Sequence, residues 1–407
     1  MQFCNSKQSA QIGMKIKKQI PTDFYLNNFT CNMKIVLWVA RVVFGVVFIL
    51  SGFFKLIDPL GFTYKLQDYL LVFGMEGLYD LSLPISIVLS IAEVMVGVGV
   101  IIGVKMQYTA LAGLLFMAFF TPLTLYLALT DKVMQCGCFG DAIPLDGWST
   151  FFKNIVLTVA SILLFAYRKE FRSVWSPVKD WLPIVVAALL SLLLAVYCLR
   201  NLPIIDFLPW KVGNNIAALM VSQQEVSDIF LTFRNRETGE LAEYPANDYP
   251  WDDPQWAALW EFVSQRTEVI SAYVPAPINN FIILDEFQND LTQQYVANPS
   301  FQFIVVAYDL SKTRYRAFRE KINPLVEQIE QAGYSLIVLT SSSQDAIDAF
   351  RHHHQTPYRF YQSDAVALKT MIRSNPGMLL LKDGVVLGKW AHRDIPEFRA
   401  LEEKYLR

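Results

Sequence analysis

Five long apolar stretches occupy the first half of the chain, at about residues 35–56, 83–104, 108–130, 150–167 and 182–199. Each is close to the ~20 residues that carry a helix across the hydrocarbon core of a bilayer. The fourth is the shortest, and Lys153 near its start has to snorkel to the interface. A soluble core built from five such runs would have almost no polar face, so membrane-spanning helices are the expectation. Two tight connections, around Lys105 and across residues 168–180, read as turns between helices.

Beyond residue 200 the pattern changes. Residues 200–275 read as a linker with Pro203, Pro209 and Gly213, followed by a partly β-structured region in which "DIFLTFRN" and "ETGELAEY" form two strands about a turn. The aromatic, Pro-rich run "YPANDYPWDDPQW" reads as an irregular surface loop, its rings buried against the neighbouring domain. From residue 276 to the end, short buried strands ("FQFIVVAYDL", "YSLIVLTSS", "YRFYQ") alternate with amphipathic helices ("YRAFREKINPLVEQIEQAG", "SQDAIDAFRHHHQ", "DAVALKTMIR"). "GMLLLKDGVVLGKW" is a hairpin with Asp383 and Gly384 at its tip, and a last helix starts near Pro396. Pro324 either bends the first of these helices or marks its real start.

Composition supports the membrane reading. Hydrophobic residues make up 53% of the 407 and charged residues only 18%, where a soluble domain carries about a quarter. A formal net charge of −2 gives no basis for nucleic-acid binding. Residues 1–33 form a polar N-terminal extension with no cleavable leader pattern, and Met14 and Met33 are alternative start positions within it. Loop charges alternate in sign along the bundle. The N-terminus, Lys105 and the 168–180 connection are basic, whereas residues 57–82 and 131–149 are acidic. The positive-inside rule then puts the N-terminus in the cytoplasm, and both the 131–149 loop and the C-terminal half on the periplasmic side of a bacterial inner membrane.

The candidate chemistry is concentrated in Gln135-Cys136-Gly137-Cys138-Phe139-Gly140-Asp141. Two thiols at an outer membrane surface can exchange with partner disulfides. A C-x-C ring is small, so an internal disulfide there would be strained and readily reduced. Gly137 permits an unusual backbone, and Gly140 a turn just after it. Cys198 ends the fifth span on the same side and is either a relay thiol or the partner in a structural bridge to Cys136 or Cys138. A metal site is the third alternative, but the pair lacks the further ligands that zinc takes. Two charges lie within spans, Arg41 and Glu93. They read as a structural ion pair between the first two helices or, alternatively, as the polar wall of a quinone or proton site. Pro122 is expected to kink the third span, and Gly97, Gly99 and Gly103 to let another helix approach closely.

"ARVVFGVVFILSGFFKLIDPLGF", "KLQDYL" and "MQCGCFGD" resemble the DoxX/MauE group of bacterial membrane proteins over residues 34–170. The specific parts are Ser51, Gly52, Lys55, Asp58 and Pro59 at the end of the first helix, together with the C-G-C-F-G loop. The resemblance implies a four-helix bundle distantly similar to quinone-linked bundles of the vitamin K epoxide reductase type. Within this group, MauE-like proteins are associated with assembly of the disulfide-rich methylamine dehydrogenase and DoxD-like ones with thiosulfate–quinone oxidoreduction. This chain adds a fifth span at 181–199 and a large C-terminal region, a layout similar to longer fusions of the DoxX group. Residues 276–407 resemble the thioredoxin fold in its TlpA-like and peroxiredoxin-like versions. Pro376 falls where that fold carries its cis-proline. The position of its C-x-x-C holds Asp309-Leu310-Ser311-Lys312-Thr313-Arg314, without cysteine, so the resemblance implies a binding module and not a thiol enzyme.

Two functions follow from these residues. One is a thiol–disulfide component linked to a membrane quinone, acting on exported proteins through Cys136 and Cys138. The other is a non-catalytic membrane-anchored assembly factor whose C-terminal domain, with Pro376 at its binding loop, holds a client protein. Transport is disfavoured, because no inverted repeat is visible. His352, His353 and His354 follow one another on a helix, so their directions diverge by ~100° and a solvated helix end is the reading.

Overall fold

The computed structural model describes residues 22–130, 137–171, 178–356 and 358–406, with side chains from Met33 onward. The chain divides into two compact units, Met1–Phe207 and Leu208–Arg407.

The first unit is helical. The five apolar stretches become α1 (Thr22–Ile57), α3 (Ser82–Ile102), α4 (Met106–Thr130), α5 (Gly147–Ala166) and α6 (Leu182–Arg200), with a shorter α2 (Pro59–Val72) between the first two. The spanning portion of α1 is Met33–Ile57, so each span agrees with its apolar stretch to within a few residues. Large apolar side chains point outward on the spans, among them Leu115, Phe119, Leu129, Val156 and Leu193. In water such a surface would associate; in lipid it is the expected exterior. Trp148 and Trp181 lie at helix ends, where aromatic residues favour the interface. The turn at Lys105 is tight because Gly103 terminates α3 in a left-handed conformation. α4 continues through Pro122. Across the bundle, Thr121 and Thr158 hydroxyls lie 2.8 Å apart and Asn154 donates to Thr124 at 3.2 Å, tying α4 to α5.

The second unit is α/β. Its main sheet has the strand order β6-β5-β4-β7-β8, with β4 (Phe301–Val306), β5 (Ser335–Thr340) and β6 (Phe360–Gln362) parallel. β7 (Gly377–Lys382) runs antiparallel to β4, and β8 (Val385–Ala391) runs antiparallel to β7. The hydrophobic runs seen in the sequence are these strands, and β4 is buried at every position. The hairpin tip adopts positive φ at both Asp383 and Gly384, as a two-residue primed turn requires. A π turn over Phe318–Ile322 immediately precedes Pro324 in the first helix, a local answer to a residue with no N–H to donate.

A smaller antiparallel sheet, β2-β1-β3, is formed by β1 (Val226–Asn235), β2 (Leu241–Pro245) and β3 (Trp260–Ser271). The first two strands agree with the sequence expectation; the twelve-residue β3 was left unassigned by it. The linker reading also needs correction at its end. Residues 208–216 are docked within this unit, with Trp210 fully buried against Phe281 and the Gly213 and Ile216 amides donating to Val386 and Gly384 carbonyls. The aromatic run 244–256 packs on its own small sheet instead of the neighbouring domain: Tyr244, Tyr249 and Trp256 surround Phe233 within 6.2 Å, and Trp251 is exposed.

Candidate functional site in the membrane bundle

The site begins with a seam of small residues. A Cβ on Gly52 would come within 2.5 Å of the Ser90 carbonyl, and one on Gly97 within 2.7 Å of the Gly45 carbonyl. Only glycine lets α1 and α3 approach so closely. The two helices therefore lock in one antiparallel register, and this register decides which polar groups meet.

It brings Lys55 to Glu93. The Lys55 Nζ lies 2.6 Å from Glu93 Oε1, with the two side chains only 4% and 7% exposed. Ser51 Oγ lies 2.9 Å from Glu93 Oε2 and 2.7 Å from the carbonyl oxygen of Cys138. The Lys55 ammonium also stands over the ring of Phe62 at 4.6 Å.

The expected Arg41–Glu93 pair is not formed. Arg41 instead donates from Nε to the Val100 carbonyl at 2.8 Å, and its guanidinium also bonds the Ile101 carbonyl. These are free carbonyls at the C-terminal end of α3, where a cation satisfies both hydrogen bonding and the helix dipole. Ile101 is about 12 Å along α3 from Glu93 at the helical rise. The side chain cannot serve both places. Arg41 is thus a cap at one end of the bundle, and Lys55 is the partner of Glu93.

Beside the ion pair lies an apolar cavity of about 450 Å³, a volume typical of small-molecule sites. Phe62, Leu66, Tyr69 and Leu70 of α2, with Phe73 just after it, form one wall, and Phe116, Phe120 and Leu123 of α4 another. Lys55, Glu93, Ser51, Lys153, Asn154, Thr124 and Tyr69 bring polar atoms to the lining, which also includes Gly137 and Cys138. Cys138 packs with Leu66 and Leu123 against Tyr69 and Leu127. Gly137 and Gly140 both have φ near +60°, and the Gly140 amide donates to the Gly137 carbonyl at 3.0 Å. The turn expected from these glycines is therefore built, and it directs Cys138 inward against the bundle. Lys153 stands over Phe139 at 4.6 Å.

Cys136 lies outside the described residues. Cys198 is a buried thiol on α6, with no disulfide partner among the described residues.

Sequence reasoning missed α2. Its charges, Lys65 and Asp68, made residues 57–82 look like a loop. The signal was nevertheless present. Asp58 caps the helix by accepting from the Gly61 amide at 2.9 Å, Pro59 occupies the first turn, and residues 62, 66, 69, 70 and 73 repeat at helical spacing.

In the second unit, Pro376 follows a cis peptide bond. The adjoining loop contacts the stretch at 309–314: Asn375 Nδ2 donates to the Asp309 carbonyl at 2.8 Å, and the Arg314 amide donates to the Asn375 carbonyl at 3.3 Å. Ser374 Oγ donates to the Pro376 carbonyl at 2.6 Å and lies 3.1 Å from His392 Nδ1. Burial, with Arg314, Arg393 and Lys321 nearby, pushes the His392 imidazole down to about 4. Of the three consecutive histidines, His354 ends the helix, stacks on Tyr315 at 5.3 Å and packs against Phe350, while His352 and His353 are exposed in its last turn. Among the described residues, no group of three or more His, Cys, Asp or Glu side chains converges.

Comparison with known proteins bears on the first unit. Residues 33–167 match the family model described as methylamine utilisation protein MauE. The match takes in the spanning part of α1 and all of α2 to α5, hence the whole lining of the cavity, and leaves out α6 and the α/β unit. No curated protein and no solved structure matches the chain.

Proposed function

We propose, from the premise that residues 33–167 are a MauE-like multi-pass membrane region, that the chain is a thiol–disulfide component that passes electrons from exported proteins to an apolar carrier within the bundle. One observation carries this reading: Cys138 lines the same apolar cavity as the buried Lys55–Glu93 pair. A thiol beside a membrane-embedded cavity, with a charged pair on its wall, suits electron transfer to a ring compound whose tail prefers lipid. A quinone is that class of compound, and the fit is supported by the cavity volume and its aromatic lining.

The chain's own residues then have distinct tasks. Cys136 and Cys138 exchange with client thiols: a client dithiol becomes a disulfide, and the loop pair becomes the dithiol. Gly137 and Gly140 shape the turn that presents Cys138. Phe62, Phe116 and Phe120 exclude water from the carrier's site, while Lys55 and Glu93 offer polar contacts to its oxygens. When bound, the carrier supplies the two-electron oxidation that restores the loop disulfide. Loop charges favour an inner-membrane protein with the cysteine loop and the α/β unit on the periplasmic side.

The α/β unit is assigned the client. Its alternating strands and helices, closed by a hairpin and a last helix, support the thioredoxin-like reading, and the stretch at 309–314 has no cysteine. The contact between that stretch and the Asn375-Pro376 loop supports a docking surface for an extended segment, without thiol chemistry of its own.

The test uses the full chain in lipid nanodiscs, a pre-reduced dithiol peptide and a short-tailed benzoquinone. Peptide oxidation should require both the protein and the quinone, and should fall to background in Cys138→Ser and in Cys136→Ser. Unchanged oxidation in either variant would reject the reading.

A further inference from the structure

The Lys55–Glu93 pair does more than join two helices. A buried ion pair is a poor stabiliser, since apolar residues of similar size often serve as well or better. The pair bridges α1 and α3, and both side chains also line the cavity. Glu93 is the one carboxylate on that lining among the described residues. The other titratable or charged groups facing it are Lys55 from α1, Tyr69 from α2, Lys153 from α5 and Cys138 from the loop.

Ser51 adds a connection that depends on protonation. Its hydroxyl has one proton but two acceptors, Glu93 Oε2 at 2.9 Å and the Cys138 carbonyl at 2.7 Å. With Glu93 ionised, the carboxylate is the stronger acceptor and competes for that proton. With Glu93 protonated, it donates to Ser51 Oγ, and Ser51 donates to Cys138. Ser51 and the Cys138 carbonyl are then both satisfied, while the Lys55 ammonium keeps only a neutral Glu93 oxygen as its acceptor.

We propose that Glu93 delivers a proton to the carrier bound in the cavity, and that Ser51 couples this event to the Cys138 loop. The inference rests on the functional reading above. Closing one S–S bond from two thiols releases two electrons and two protons, and reducing the two carbonyl oxygens of a quinone to hydroxyls consumes the same number. One proton arrives through Glu93, whose carboxylate faces the Lys55 ammonium until it takes up one of the two protons released by the thiols. The other comes from solvent at the loop end, where the thiol protons are released. Loss of the Glu93 proton draws Ser51 toward the carboxylate and weakens its hydrogen bond to the Cys138 carbonyl.

Two readouts test this in the full chain. The first is the pH profile of benzoquinone-dependent peptide oxidation. Glu93→Gln should slow it roughly 100-fold, the usual scale for a lost acid–base group, and remove the limb due to Glu93, while Glu93→Asp keeps that limb. If Glu93→Gln alone does not fold, Lys55→Met/Glu93→Gln removes both charges and carries the same expectation. The second needs no carrier. Amide exchange at residues 138–142, corrected for intrinsic rates, should show a pH step in the wild type. Ser51→Ala and Glu93→Gln should both abolish that step. Equal rates and profiles in wild type and Glu93→Gln, or a step that survives both variants, would overturn the proposal while leaving the thiol reading intact. A wild type that oxidises no peptide with the quinone would overturn both.

Discussion

Removing one charge from the Lys55–Glu93 pair should cost far more than removing both. The ions are 2.6 Å apart and almost wholly buried, so neither can turn to solvent when its partner is lost. Stranding one buried charge costs about 3–5 kcal/mol. Lys55→Met keeps the apolar stem but also gives up the contact over Phe62, a further ~0.5–2 kcal/mol. Glu93→Gln keeps the shape and a hydrogen bond to Ser51 while leaving the ammonium without its counter-ion. The double variant Lys55→Met/Glu93→Gln has no stranded charge and should fall within about 1–2 kcal/mol of the wild type. With about 3–5 kcal/mol for each single change and about 1–2 for the double, the cycle predicts a coupling of roughly 4–9 kcal/mol. Reversible unfolding in mixed micelles, followed by circular dichroism, measures it. Additivity of the single changes to within about 0.5 kcal/mol would refute the claim that these residues form one buried unit.

Further expectations concern packing, pH and thiol access. Gly97→Leu should force α1 and α3 apart and lower stability by at least ~1–3 kcal/mol, because even a Cβ meets the Gly45 carbonyl at 2.7 Å. Gly77→Ala, where a Cβ meets nothing within 4 Å, should be neutral by the same thermal assay. His392 is held down to about 4 in the folded chain, against about 6.5 when unfolded. The unfolded state therefore takes up a proton first. Stability is fully present above pH ~6.5 and is lost as pH falls towards 4, by on the order of 1–3 kcal/mol after allowing for partial exposure. His392→Asn should remove that pH dependence. Cys198 is 2% exposed and should resist maleimide until the protein unfolds; rapid labelling in the native state would contradict its place on α6.

Much of this architecture is visible in the chain itself, because local patterns decide it. The apolar stretches find their ends to within a few residues, since lipid thickness sets helix length. Gly137, Gly140 and the Asp383-Gly384 tip are likewise legible, as positive φ is a property of a single residue. What was hidden is tertiary. The partner of Glu93 depends on the helix register set by Gly45, Gly52 and Gly97, and a count of residues from each helix end pointed to Arg41 instead. α2 was obscured because Lys65 and Asp68 interrupt its apolar face. The strand β3 has few buried positions, so "WEFVSQRTEVIS" carries no clear alternation to read.

The central claim, that the loop cysteines and the bundle cavity form one redox unit, is open to a direct measurement. The protein would be reduced, freed of reductant and mixed with a short-tailed benzoquinone in nanodiscs. Differential alkylation and mass spectrometry would then report the state of Cys136 and Cys138. The account predicts that both become protected in the presence of quinone, and that filling the cavity with Leu66→Trp prevents it. Loop thiols that remain fully alkylated with quinone present, or that oxidise equally well with the cavity filled, would contradict it.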